Sequence, residues 1–253
     1  MVAAGGSCRY GLGRAIVNAA LRAIPARMAG AIGLVAALAT APAAPAAAAP
    51  LDVVVLGDSL SAGYGLPPDK ALTAQLEAAL KEKGYDVRVP NTAVSGDTTA
   101  GGLSRLDWLL ADKPDLMIVA LGGNDGLRAI DPAATRSNLD AILAKLKEKG
   151  VPSVLFGMLA PPNLGRAYGE AFNAVYPDLA KKYGVPLYPF ILEGVALDPK
   201  LSLADGMHPN AEGVAIMVRN VLPTVTRALD AIKGGQGAGS GAADGAAAPG
   251  KAR

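Results

Sequence analysis

The only histidine of the 253-residue chain, His208, sits in the stretch SLADGMHPN (202–210), three positions after Asp205 on a glycine turn closed by a proline. Imidazole changes charge more readily near neutral pH than any other side chain, so one copy suffices for acid–base chemistry if a partner orients it. Acyl transfer needs a hydroxyl nucleophile, a base beside it, a group that fixes the base, and donors aimed at the developing oxyanion. Ser59, in GDSLSAGYG (57–65), follows an apolar run and can present its hydroxyl at a sheet edge. Asp205 can reach, within one turn, the ring nitrogen that faces away from Ser59, fixing the tautomer and stabilising the imidazolium. Gly96, in NTAVSGDTTAGG (91–102), can turn a backbone N–H outward, and Asn124, in LGGNDG (121–126), can add an amide donor. With the Ser59 N–H, that makes three donors for one oxygen. Each stretch alone is ordinary turn composition; together they fill every role once.

The elements that must hold these loops alternate along the chain. LDVVVL (51–56), DVRVP (86–90), LMIVAL (116–121), SVLFGM (153–158) and PLYPF (186–190) read as strands, several of them continuous apolar runs suited to burial on both faces. Helical stripes fall between them: 72–83, 102–112, 132–149 after an Asp131-Pro132 start, 168–183, and 210 to about 232 with Pro223 expected to bend or split it. Trp108, Leu109 and Leu110 read as core of the second stripe. Strand–helix alternation predicts an α/β fold with a parallel sheet covered on both faces, and function at the carboxyl ends of its strands.

At these residues the chain resembles the SGNH (GDSL-type) hydrolases, through GDSLS around Ser59, the glycine of SGDT, the asparagine of GGND and the Asp–His pair of DGMHP. SGDTTAGGLSRL, LGGNDGLR and GRAYGEAFNAVYPDLAKKYGVPL (165–187) are similar to an exported bacterial branch that includes arylesterases, acyl-CoA thioesterases and lysophospholipases. The resemblance implies a three-layer α/β/α sandwich with a five-stranded, flavodoxin-like parallel sheet. It implies Ser59 as nucleophile, His208 as base and then acid, Asp205 as orienter, and an oxyanion hole from Ser59, Gly96 and Asn124. No cofactor or metal is implied. Ser59 is followed by Leu60 and Ser61, so the Gly-x-Ser-x-Gly elbow of α/β-hydrolases is not met. The loop LAPPNLGRAY (159–168) leaves the fourth strand with two prolines and few charges. Leu159, Pro161, Pro162, Asn163 and Leu164, with Leu66 facing them, are the expected walls of an acyl groove for a small ester or acyl-lipid substrate. Medium-chain acyl and aryl esters would suit such walls.

Composition narrows the range of functions. The first fifty residues contain Arg9, Arg14, Arg22 and Arg27 and no acid, then an apolar run (28–39) and APAAPAAAAP, the pattern of an export signal. Residues 1–49 are therefore expected to be removed near Ala48, 50–232 to form the folded domain, and the Gly/Ala-rich 233–253 to form a flexible tail. The apolar run is too short for a comfortable membrane span. Of 24 basic and 22 acidic residues, removing those four arginines leaves 20 against 22, a balance of −2. That balance gives no footprint for nucleic acid or a membrane surface. Cys8, the sole cysteine, lies in the discarded part, so no thiol site is expected. Asp58, Asp97, Asp125 and Asp205 raise a rival, a Mg²⁺ site for phosphoryl chemistry, which would leave Ser59 and His208 unexplained. A carbohydrate O-acetyl esterase competes with the aryl and acyl esterase reading on the same catalytic residues. A non-catalytic ligand-binding module of the cell envelope competes with both, but it has no use for an aspartate one turn from the histidine.

Overall fold

The structure, a computed structural model, describes residues 49–240. Five strands, β1 (Leu51–Gly57), β2 (Val87–Arg88), β3 (Leu116–Ala120), β4 (Ser153–Phe156) and β5 (Leu187–Tyr188), form one sheet in the order β2-β1-β3-β4-β5. All pairings are parallel. Consecutive residues of β1 and β3, from Val53 to Leu56 and from Leu116 to Ala120, are buried, as parallel strands covered on both faces require.

The helices are α1 (Ser59–Ala62), α2 (Leu72–Glu82), α3 (Thr99–Leu110), α4 (Gly123–Leu127), α5 (Pro132–Glu148), α6 (Arg166–Asn173), α7 (Val175–Tyr183) and α8 (Ala211–Ser240). α2 packs on α8 in one outer layer, while α3, α5, α6 and α7 pack together in the other. The result is a three-layer α/β/α sandwich. In the β1–β3 register Gly57 lies opposite Ala120, so the loops carrying Ser59 and Asn124 leave the sheet at the same height.

Four local expectations are corrected. The single stripe at 168–183 is two helices meeting at Ala174: Pro177 has no N–H for the Asn173 carbonyl, and it is tolerated in the first turn of a new helix. α3 starts at Thr99 rather than Gly102, because Thr98 caps it by accepting from the Gly101 N–H at 3.2 Å. Trp108 is 69% exposed whereas Leu106 and Leu109 are buried. At 100° per residue, three successive side chains cannot share one stripe, and the i, i+3 leucines take it. α8 runs unsplit through Pro223 and past residue 232 to Ser240. Pro223 and Arg219 lie on the exposed face, so the carbonyl left without an N–H partner reaches water. The leader and the end of the tail (241–253) fall outside the described residues.

Candidate active site

Where β1 ends, the chain turns at once into α1. Asp58 is the N-cap, its Oδ1 accepting from the Leu60 N–H at 3.0 Å, so Ser59 occupies the first helical position rather than the cap. Neither the Ser59 N–H nor the Gly96 N–H donates to any group among the described residues.

His208 reaches Ser59 from the far end of the sequence. The segment 201–210 doubles back on itself: Leu203 N–H donates to the His208 carbonyl at 2.7 Å and Asn210 N–H to the Leu201 carbonyl at 2.8 Å. Asn210 then accepts from the Glu212 and Gly213 N–H groups, both at 3.0 Å, which starts α8 directly behind the histidine. Within this turn Asp205 Oδ1 accepts from the backbone N–H groups of Met207 and His208 at 2.9 Å each. Its Oδ2 lies 2.7 Å from His208 Nδ1. The other ring nitrogen, Nε2, is 2.9 Å from Ser59 Oγ. The three side chains thus form one hydrogen-bonded chain, with the carboxylate on the ring nitrogen that faces away from the hydroxyl. The backbone N–H groups of His208 and Met207, and then the imidazole, hold the Asp205 carboxyl down to about 2.

Asn124 sits in the first turn of α4, after Gly122 at φ 113°. A Cβ at Gly122 would strike the hydroxyl of Tyr176, which is buried and donates to the Leu121 carbonyl at 3.0 Å; glycine is required there twice over. The Asn124 amide donates to the Asp97 carbonyl at 2.9 Å and faces Asp58 Oδ2 at 3.4 Å, which leaves its second hydrogen loosely engaged. Asn124 is therefore tied both to the residue after Gly96 and to the residue before Ser59. Gly96 has φ 87°, and its carbonyl accepts from Arg128 at 2.9 Å.

Three supports lie outside the sequence expectation. Arg105 pairs with Asp97 at 2.6 Å and donates to the carbonyls of Thr92 (2.8 Å) and Gly57 (2.9 Å), binding the Ser59 and Gly96 loops together. Buried Asp125 accepts from the Thr99 N–H and hydroxyl and from the Thr135 hydroxyl, joining α4 to α3 and α5. Asp58 is itself buried, and burial, with Asp97 nearby, pushes its carboxyl up to about 6 against the Leu60 N–H, His208 and Asn124. Arg105 was visible in the sequence only as a charge inside an otherwise apolar stripe, and Asp125 only as a possible metal ligand.

The four aspartates that could have held Mg²⁺ do not converge. Asp58 caps α1, Asp97 pairs with Arg105, Asp125 binds threonines and Asp205 holds His208. Among the described residues no group of three His, Cys, Asp or Glu side chains is placed to hold a metal ion. The expected groove residues divide. Leu159 is exposed, Pro161 packs against Gly126 of α4, and Pro162, Asn163 and Leu164 form a single 3₁₀ turn. Leu66 packs against the core next to Gly65, which faces Leu203 of the histidine segment.

A sheet of this order, with a Ser–His–Asp chain across its carboxyl edge, is the architecture of an SGNH-type hydrolase. Residues 55–216 match the GDSL-like Lipase/Acylhydrolase family. An arylesterase of Vibrio mimicus is 45% identical over 161 residues, 63% of this chain and 80% of that protein. Thioesterase 1/protease 1/lysophospholipase L1 of Escherichia coli K12 is 44% identical over 167 residues, 66% of this chain and 79% of that protein. The crystal structure of AlinE4, an SGNH-hydrolase family esterase, superposes with a TM-score of 0.62 at 46% identity, covering 73% of this chain and 99% of that one. The chain belongs to the GDSL-like lipase/acylhydrolase family and is a carboxylic ester hydrolase.

Proposed function

We propose that the protein is an exported serine esterase that cleaves carboxylic esters and thioesters, including aryl, medium-chain acyl and lysophospholipid-type substrates, through an acyl-enzyme on Ser59. The observation that carries this reading is the hydrogen-bonded chain Asp205–His208–Ser59, at 2.7 and 2.9 Å. His208 Nε2 takes the Ser59 proton as Oγ bonds to the carbonyl carbon, and Asp205 stabilises the imidazolium that forms. The carbonyl oxygen, now negative, is received by the Ser59 and Gly96 N–H groups and the loosely held Asn124 amide hydrogen. The carbon–oxygen or carbon–sulfur bond breaks, and His208 returns the proton to the leaving group. Water then gives a proton to His208, attacks the acyl carbon and releases the acid, and Ser59 recovers its proton. Only neutral imidazole can accept the proton that begins the cycle.

Leu159, Pro161, Pro162, Asn163 and Leu164 are proposed as one wall for the acyl chain, with Leu66 beside the histidine segment; residues 1–49 are proposed as the export signal. Hydrolysis of p-nitrophenyl acetate, hexanoate and decanoate by purified mature protein tests the site and its groove together. Ser59→Ala is expected to abolish turnover and labelling by an organophosphonate with the fold intact. Turnover retained in Ser59→Ala overturns the mechanism, and rates that fall steeply beyond acetate overturn the groove. Laurate release from a lysophospholipid, outpacing acetate release from an acetylated polysaccharide, separates this reading from a carbohydrate O-acetyl esterase.

A further inference from the structure

Tyr64 is half-exposed, yet its ring centroid stands only 4.4 Å from that of His208, with the planes tilted by 34°. Its placement is built by the turn that carries Ser59. α1 ends at Gly63, which adopts φ 75° and whose Cβ would run into the backbone of Ala71. The reversal sends the Tyr64 N–H back to the Ser59 carbonyl at 3.2 Å. One short turn therefore fixes both the hydroxyl and the aromatic ring against the same imidazole, 149 positions away in sequence. The contact is made ring to ring, at that centroid distance and tilt.

The two ring nitrogens of His208 are held at their edges by Asp205 and Ser59. What those bonds leave free is rotation out of the ring plane and exposure of the ring faces. We infer that Tyr64 is a positioning residue for His208: its ring covers one face of the imidazole, keeps Nε2 on Ser59, and favours the imidazolium formed as the serine proton is transferred. A cation on an exposed aromatic face is favoured by about 0.5–1 kcal/mol, which corresponds to about 2- to 5-fold in rate. The inference rests on the acyl-transfer reading of Ser59 and His208.

The test compares Tyr64→Phe and Tyr64→Leu with the parent on p-nitrophenyl acetate and hexanoate. Because His208 is the chain's only histidine, the carbon-bound ring protons of tag-free protein give an assignment-free NMR signal. The parent and Tyr64→Phe are expected to show the same ring-current displacement of those protons and the same kcat. Tyr64→Leu is expected to lose the displacement and about 2- to 5-fold in kcat. The loss should be equal for both esters, with KM unchanged. A loss carried by KM, or growing with acyl length, overturns the inference by making Tyr64 a substrate wall. Phe behaving like Leu, or Leu behaving like the parent in either readout, also overturns it. Failure of the acyl-transfer reading itself shows separately, as turnover persisting in Ser59→Ala.

Discussion

At Asp205 two backbone N–H groups and an imidazole outweigh the opposing effect of burial and lower the carboxyl to about 2. It therefore stays ionised across the whole range in which imidazole titrates. Its contribution to folding is present above the ordinary value of 3.8 and is lost as pH falls toward 2. Asp205→Asn keeps the shape but reverses the hydrogen-bonding role, and kcat is expected to fall on the order of 10⁴-fold, measured at saturating ester. Asn124→Ala removes one oxyanion donor and should cost about 10²–10³ in kcat with substrate binding little changed. Asp58 behaves oppositely to Asp205. Its carboxyl is held at about 6 against an ordinary 3.8, so between those values the unfolded chain releases a proton that the fold retains. Stability accordingly falls as pH rises through that window, and the full cost, up to ~3 kcal/mol, is present above it. Asp58→Asn keeps a cap acceptor without the charge; it should melt higher than the parent near pH 8, with the gap closing near pH 4. Equal gaps at both pH values would contradict this. Ser59, Asp205 and His208 could be singled out in the sequence because one of them has a unique side chain and another lies one turn away. Asp58 was visible there only as a possible metal ligand, since burial is a property of the fold and not of a residue's neighbours in the chain.

Short loops fix the site, and their grip comes from contacts that cross the sheet edge. Arg105 exemplifies this: one guanidinium binds Asp97, Thr92 and Gly57, the last of them 48 positions away. Arg105→Met would leave Asp97, itself largely buried, and two carbonyls without their donor. A loss of about 3 kcal/mol in urea unfolding is expected, with a lower kcat as the two loops drift. Gly122→Ala should be comparably damaging, because it meets both the left-handed backbone and the Tyr176 hydroxyl. The strands were legible as apolar runs and the long helices as stripes. α1 and α4, of four and five residues, are too short to show a period, yet they carry Ser59 and Asn124. The break between α6 and α7 was also legible in principle: Pro177 marks it, hidden inside a stripe that otherwise continues.

Across the molecule, the parallel sheet and its two helical layers followed from strand–helix alternation, because parallel strands need crossovers and crossovers cover faces, whereas the strand order β2-β1-β3-β4-β5 is not set by alternation. The surroundings of the expected groove residues were less legible, because two loops of similar composition can pack on different neighbours: Met158 and Pro161 on α4, Leu66 on the core. Export belongs to this scale too. Intact-mass measurement of the protein released by a bacterial host is expected to show a chain beginning near residue 49, without Cys8 or the four arginines; a full-length mass would contradict the leader. Finally, α8 begins three residues after His208 with Asn210 as its cap and runs for 30 residues, about 45 Å at 1.5 Å per residue. The catalytic turn lies at its N-terminal end. Attaching the protein to a bead or an electrode through the far end of this helix would hold it at the end opposite the catalytic turn.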